Sequence, residues 1–403
     1  MSCTTHVRRQ CLRCLAALSI LLLVAGAFTA CSKEPTPTIM LPTRTPKPTF
    51  SPTSVPTPTI VPSRTATLVS TSTHTPLPPT ATPTVLPTDT PTLKPSRNPL
   101  ANPLTGLGVD DAARLQRRPI LVRYGNDEGG RPLAGLSQAE VVYEDLMEGN
   151  WITRLTAVFL AQDPEAIGPI RSARPVNLEL VPQYDGVFVF SGASIGVTEL
   201  LSKANFPQIH EGTPGNGFYR SAKKKVPYNL YGSIIATRKY MADKGLEKPV
   251  ALKGFVFSEE GAEPPKGQPA LKMHIPYPAT STVDYTYDRN MGLYMRFVQG
   301  EPYVDELTNK QIGVANVIVQ YVEHQNTNIV EDSLGSTSLN LVTTGEGRVQ
   351  ILRDGVVLEG LWRRAQLTDF PVYLDAQGKP IPLKPGTSWV QFVPPSYKLD
   401  IIG

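Results

Sequence analysis

From about residue 119 onward, apolar residues come in short blocks rather than in a helical stripe. Pro119-Ile120-Leu121-Val122-Arg123-Tyr124 predicts a first strand, residues 139–147 a second and residues 152–161 a third. Glu148-Gly149-Asn150 is a short turn with a glycine, so the second and third strands are expected to form a hairpin. Residues 175–181 read as a short helix opened by Pro175. Val187-Phe188-Val189-Phe190 is an unbroken apolar run, the mark of a strand covered on both faces. Residues 195–204 predict a helix begun by Ser194. Proline and charge crowd residues 258–279, and beyond them strands dominate: 283–287, 293–298, 314–322, 338–342, 349–352 and 389–393. The pattern predicts an α/β (or α+β) domain over 98–257, an inter-domain segment over 258–279 and a smaller β-rich domain over 280–403.

The N-terminus follows another pattern. Arg8, Arg9 and Arg13 precede an apolar run over 15–28, which ends in Phe28-Thr29-Ala30-Cys31. A basic start, an apolar core and small residues before a cut describe a signal peptide over 1–30. A cysteine just after the cut is what lipoprotein processing needs, because its thiol takes the diacylglycerol. Cys31 is therefore the expected lipidation site and membrane anchor, with the folded part extracytoplasmic. A spanning helix is the competing reading, but the run is short against the roughly 20 residues a span requires.

Residues 32–97 repeat Thr-Pro and Ser-Pro pairs, as in Pro46-Lys47-Pro48-Thr49 and Pro76-Leu77-Pro78-Pro79. Such a chain buries no core and favours polyproline II, so a disordered stalk is expected. At about 3.1 Å per residue its full reach is about 200 Å.

Charge and cysteine content narrow the function. The formal charge of +4 is misleading, because residues 1–31 carry +3 and the stalk another +4, leaving −3 on the folded part. A mildly acidic, exported domain is no nucleic-acid binder. The four cysteines are Cys3, Cys11, Cys14 and Cys31, so no disulfide or thiolate site is expected in the folded part. His74, His210, His274 and His324 lack ligand spacing, and neither a metal nor a cofactor is expected.

The sharpest candidate chemistry is Gly168-Pro169-Ile170-Arg171-Ser172-Ala173-Arg174-Pro175, which leads into a helix start. Guanidinium forks beside free helix N–H groups suit phosphate or carboxylate. The alternative is that Arg171 and Arg174 pair with acids such as Glu179 or Asp185. Arg154 lies in a strand and faces Glu144 or Asp145, depending on the length of the turn, or else joins the other two arginines. The loop Gly212-Thr213-Pro214-Gly215-Asn216-Gly217-Phe218-Tyr219-Arg220, followed by Lys223-Lys224-Lys225, could cradle a phosphate or be a solvated loop. Gly192-Ala193-Ser194-Ile195-Gly196 matches the G-x-S-x-G elbow of a serine hydrolase, or Ser194 simply caps its helix. Arg154, Arg171, Ser172, Arg174 and Ser194 are expected to line one concave pocket closed by Arg220, at the sheet edge where α/β domains hold ligands.

At these motifs the chain resembles the YerB-type bacterial lipoproteins. The resemblance is carried by Arg118-Pro119, residues 136–144, Ile152-Thr153-Arg154, residues 167–175 and Asn229-Leu230-Tyr231, and later by residues 316–320, 360–364 and 385–390. It implies an anchored, two-domain envelope protein and brings no reaction with it. Histidines often stand in that family where this chain has Phe190 and Tyr228. A looser likeness of layout links the first domain to LytR-CpsA-Psr glycan transferases, whose arginines hold a lipid pyrophosphate. The leading expectation is an envelope module that binds an anionic cell-wall ligand or a protein partner. The alternative is a phosphotransferase on polyprenyl-pyrophosphate-linked glycan, for which Glu144, Asp145 and Asp163 are the nearby carboxylates.

Overall fold

The computed structural model describes residues 100–278 and 280–403. The signal segment, Cys31 and the proline/threonine-rich tract lie outside the described residues. In the first half the chain forms strands β1 (Ile120–Gly125), β2 (Val141–Leu146), β3 (Thr153–Phe159), β4 (Val187–Phe190) and β5 (Gln208–His210). They alternate with helices α1 (Val176–Tyr184), α2 (Ile195–Ser202) and α3 (Ile234–Asp243), and with short strands β6 (Tyr219–Arg220) and β7 (Leu230–Tyr231). Beyond Asp243 no α-helix occurs among the described residues. The strands there are β8 (Gln268–Pro269), β9 (Lys272–Ile275), β10 (Val283–Asp288), β11 (Leu293–Val298), β12 (Glu301–Pro302), β13 (Gly313–Val314) and β14 (Asn316–Tyr321). They continue as β15 (Glu323–Val330), β16 (Thr337–Val342), β17 (Gly345–Arg353), β18 (Val356–Arg364), β19 (Val372–Leu374), β20 (Ser388–Val393) and β21 (Asp400–Ile402). A mixed α/β half is followed by a β-rich half, as the pattern predicts.

The two halves share one sheet. Eleven strands run in the order β19-β18-β17-β14-β20-β2-β3-β1-β4-β5, with β8 beside β18. The join is a parallel pair, with Val141 of β2 opposite Ser388 of β20 and Glu144 opposite Gln391. Period-two alternation places Ile120, Val122 and Tyr124 on one face of β1 and Leu121 and Arg123 on the other. The first face packs against a second sheet, β12-β11-β10-β9-β21 with β13 on β11, and against α3. The other face packs against α1 and α2. Residues 258–279 carry β8 and β9, so the stretch read as a connector is partly built into both sheets. No helix among the described residues is long and apolar enough to cross a membrane.

A buried charge ties the halves together behind the β2–β20 pair. Arg296 of β11 is sealed from solvent and lies 2.8 Å from the Glu144 carboxylate of β2, which is also fully buried. The contact is close but not aligned as a hydrogen bond, since neither Arg296 Nη2 nor Glu144 Oε2 has a bonded partner. Arg296 Nη1 donates to the Tyr285 hydroxyl at 2.7 Å. Its guanidinium lies over the rings of Trp389, Tyr303 and Tyr285 at 4.4, 4.9 and 5.5 Å. Glu144 Oε1 accepts from Thr153 and Asn126, and the Tyr303 hydroxyl donates to Asn126 Oδ1. Burial pulls the Arg296 guanidinium down, but Glu144 together with Tyr285 and Tyr303 outweighs it and holds the group above its ordinary value.

Removing one member would strand the other's charge in the interior, which costs about 3–5 kcal/mol. Arg296→Leu is therefore expected to lower the urea midpoint sharply. The double variant Arg296→Leu, Glu144→Leu should recover much of the loss. An unchanged midpoint in Arg296→Leu would show that the pair does not hold the halves together.

Candidate functional site

Strands β1, β4 and β5 are parallel and β3 runs against β1, so the ends of β1 and β4 and the start of β3 meet at one edge of the sheet. Residues 167–173 cross that edge by pairing with what surrounds them. Ile167 exchanges hydrogen bonds with Gly232, and Ile170 N–H donates to Leu230 O. Arg171 N–H donates to Arg123 O at 2.8 Å, and Ala173 N–H to Gly192 O at 2.8 Å. Ser191 N–H donates to Arg171 O at 3.0 Å, which stitches the loop to the end of β4. Gly125 makes room for the long side chain above it, because a Cβ there would stand 2.6 Å from Arg171 Cγ.

Four arginines gather at this edge, and three have acids. Arg123, fully buried, forms a two-pronged pair with Asp145 at 2.5 and 2.7 Å. Arg174 forms another with Glu148 at 2.8 and 2.5 Å, and its Nε lies 3.4 Å from Glu331. Glu331 comes from the β15–β16 hairpin, and Ser338 donates to its other oxygen. Arg171 Nε lies 3.5 Å from Asp127, and its guanidinium sits 5.4 Å from the centre of the Tyr228 ring.

Arg154 is the exception. It is opposite Asp145 in the hairpin register, as the shorter-turn alignment predicts. The expected pair does not form, because Arg123 from the neighbouring strand takes both oxygens of Asp145. No carboxylate oxygen among the described residues lies within 4.0 Å of Arg154. Its Nη1 donates to Ser172 O at 3.0 Å, while its Nε is buried without a partner. Burial, then the charges of Arg174, Arg171 and Arg123, push Arg154 well below the ordinary guanidinium value, against the opposing charge of Asp127. A guanidinium does not give up its proton in a protein, so this is a standing electrostatic cost. Arg154 Nη2 and both terminal nitrogens of Arg171 make no hydrogen bond within the described chain.

The remaining candidates lie around this cluster. Ser172 is half-buried on the same loop. Ser194 has an extended backbone, and its hydroxyl accepts from Val197 N–H at 3.4 Å, the contact of a helix cap. No histidine among the described residues hydrogen-bonds it: His210 accepts from Gly212 N–H, His274 pairs with Asp284 and His324 bonds Val322 O. Arg220 pairs with Glu211 and with Asn229 Oδ1, away from the other arginines. Glu211 N–H donates to Ser191 O, so Arg220 joins the cluster only through intermediaries. Of the three lysines, Lys224 binds Gly130 O, Pro132 O and Glu306, while Lys223 and Lys225 are exposed. The nearby carboxylates are all committed: Glu144 to Arg296, Asp145 to Arg123, and Asp163 to Arg117 and Arg238. No group of three or more His, Cys, Asp or Glu side chains among the described residues is placed to hold a metal ion.

Arg123, Asp127, Glu148, Tyr228 and Glu331 are site residues that the sequence reading did not single out for this role. A lone arginine inside Ile120-Leu121-Val122-Arg123-Tyr124 was a usable signal, since a charge in a covered strand requires a partner. Nothing local marks Glu331, which reaches the site on a hairpin from the other half of the chain.

The family described as "Protein of unknown function (DUF3048) N-terminal domain" matches residues 104–247, and its C-terminal counterpart matches residues 273–390. The putative lipoprotein YerB of Bacillus subtilis (strain 168) is 30% identical over 295 residues, which span 72% of this chain and 85% of that protein. The crystal structure of B. subtilis YerB matches with a TM-score of 0.65 at 28% identity, covering 74% of this chain and 98% of that one.

The Glu148–Arg174 pair predicts a pH effect. Burial raises the Glu148 carboxyl, but the Arg174 hydrogen bond and charge outweigh it and hold it below its ordinary 4.5. A lowered folded-state value adds stability above the unfolded-state value, and that stability is lost as pH falls through the folded-state value. Glu148→Gln should therefore destabilise the protein at pH 6, with the gap narrowing below pH of about 4.5 in parallel urea titrations. A gap independent of pH would contradict the pairing.

Proposed function

The chain belongs to the DUF3048 family, whose relative YerB is a putative lipoprotein, and from that membership we propose that it is a membrane-anchored extracytoplasmic module that binds an anionic ligand at the arginine edge of its first half. Cys31 carries the lipid in this reading, and residues 32–97 form the stalk that holds the folded part away from the membrane.

The observation that carries the proposal is Arg154. Around it, Arg123 is matched by Asp145, Arg171 by Asp127 and Arg174 by both Glu148 and Glu331, so Arg154 is the one arginine of the four with no carboxylate in contact. A phosphate or carboxylate between Arg154 Nη2 and the Arg171 fork would accept from donors that have no hydrogen-bond partner among the described residues. Charge-assisted bonds of this kind are among the stronger polar contacts available to a protein. Binding without turnover is favoured over phosphotransfer, because Glu144, Asp145 and Asp163 are each held by an arginine.

Two measurements test the proposal. Phosphate and pyrophosphate titrated calorimetrically into the full chain should bind, and Arg171→Ala should weaken binding by about 1.5–3 kcal/mol while the circular dichroism spectrum is unchanged. Unfolding by Arg171→Ala, with no anion binding by the unaltered chain, would make the arginines structural. Cys31→Ala should alter the mass of the protein by the lost lipid and the uncut signal segment. Retention in the membrane at unaltered mass would exclude lipidation at that cysteine.

A further inference from the structure

Apolar side chains that no core takes up border the arginine edge. Trp151 is 66% exposed, Ile195 92%, Val330 55% and Leu334 82%, whereas the other two tryptophans, Trp362 and Trp389, are 2% and 1% exposed. The exposed four come from three segments, and these same segments frame the arginines. Trp151 follows the turn whose Glu148 holds Arg174, and precedes Arg154 on β3. Val330 and Leu334 flank Glu331, the second acid beside Arg174. Ile195 follows Ser194, just beyond the Gly192 carbonyl that binds the 171–173 loop. Close approaches fasten the segments to one another. A Cβ on Gly149 would run into the Trp151 ring and stand 3.5 Å from Ser336 Oγ, and one on Gly196 would stand 2.7 Å from Ile329. Glu331 N–H donates to Ser336 O, which closes the hairpin turn that carries Leu334.

We infer that the anion this edge takes is amphiphilic: a lipid phosphate whose head meets Arg154 and Arg171 and whose hydrocarbon chain lies along Trp151, Ile195 and Leu334. The inference rests on the anion-binding reading and names the class of its ligand. An exposed indole beside charged groups suits a boundary between hydrocarbon and a polar head. Charge favours a single lipid over a whole anionic bilayer surface. The folded part carries −3, and the half-buried Asp332, which caps the turn by accepting from Leu334 and Ser336 N–H, adds negative charge on this rim. A membrane anchor keeps lipid at high local concentration around the stalked domain.

The test uses alkyl phosphates of increasing chain length, below their micellar concentrations, titrated into the full chain beside inorganic phosphate. Trp151 is the exposed tryptophan of the described residues, so its emission should shift to the blue as a chain covers it. Affinity should rise with each added methylene, by up to roughly fourfold at full burial. Trp151→Ser with Ile195→Ser, both on the surface and so harmless to folding, should abolish this rise and leave inorganic phosphate binding unchanged. Arg171→Ala should weaken every probe. Phosphate binding with no dependence on chain length overturns the lipid inference and leaves the anion reading standing. A dependence that survives the double serine variant overturns the placement of the chain along this rim. Failure of every probe to bind overturns both readings.

Discussion

A guanidinium enclosed by three aromatic rings and one carboxylate is the constraint on which the joined halves depend. Arg296 brings its charge from the second half, and Glu144 brings the opposite charge from the first. Neither can be buried alone, because desolvating an ion costs several kcal/mol that only a close partner and good packing offset. The pair therefore acts as a register mark. With β2 beside β20, Glu144 is opposite Gln391, and the Gln391 amide donates to the same Tyr285 hydroxyl that accepts from Arg296. A slip by one residue would turn Glu144 to the other face of the sheet and Asp145 into its place.

The two carboxylates at 144 and 145 show how one strand serves two purposes. Being adjacent, they point to opposite faces, and each meets a buried arginine: Glu144 meets Arg296 at the junction and Asp145 meets Arg123 at the loop edge. At the junction, the acid, the hydroxyls and the rings closely surround the cation. At the loop edge two acids fall to Arg174 and none touches Arg154, which is held among like charges by Ser172 O and the packing around it. The two buried cations thus differ in whether a carboxylate touches them, and a buried charge without one is a candidate for a functional role.

Much of this was legible in the sequence where local pattern decides. The apolar block at 187–190, the hairpin about Glu148-Gly149-Asn150 and the helix capped by Ser194 all form as their residues predict. The arginine run at 171–174 does reach the strand carrying Arg154. The rest depends on distant partners. β15 is mostly polar because its ribbon with β16 is open to solvent along much of its length, so no apolar alternation announces it. α3 buries only Ile234, Thr237 and Met241 and shows little contrast between its faces. That Asp145 chooses Arg123 over Arg154 follows from which strand lies alongside β3, a fact of topology that spacing within a hairpin does not contain.

The parallel pairing of β2 with β20 also sets an order of events. β2 is made early and β20 near the end of the chain, with more than two hundred residues between them. Until residues 388–393 arrive, the first half presents β2 as an open edge. A chain made N-terminus first must therefore keep that edge from pairing wrongly for as long as synthesis lasts, since an uncovered strand is a template for any neighbour. The last strand of this sheet to appear is the one that closes its middle, so a chain cut short before it would keep most of its sequence and lose the junction that unites its halves.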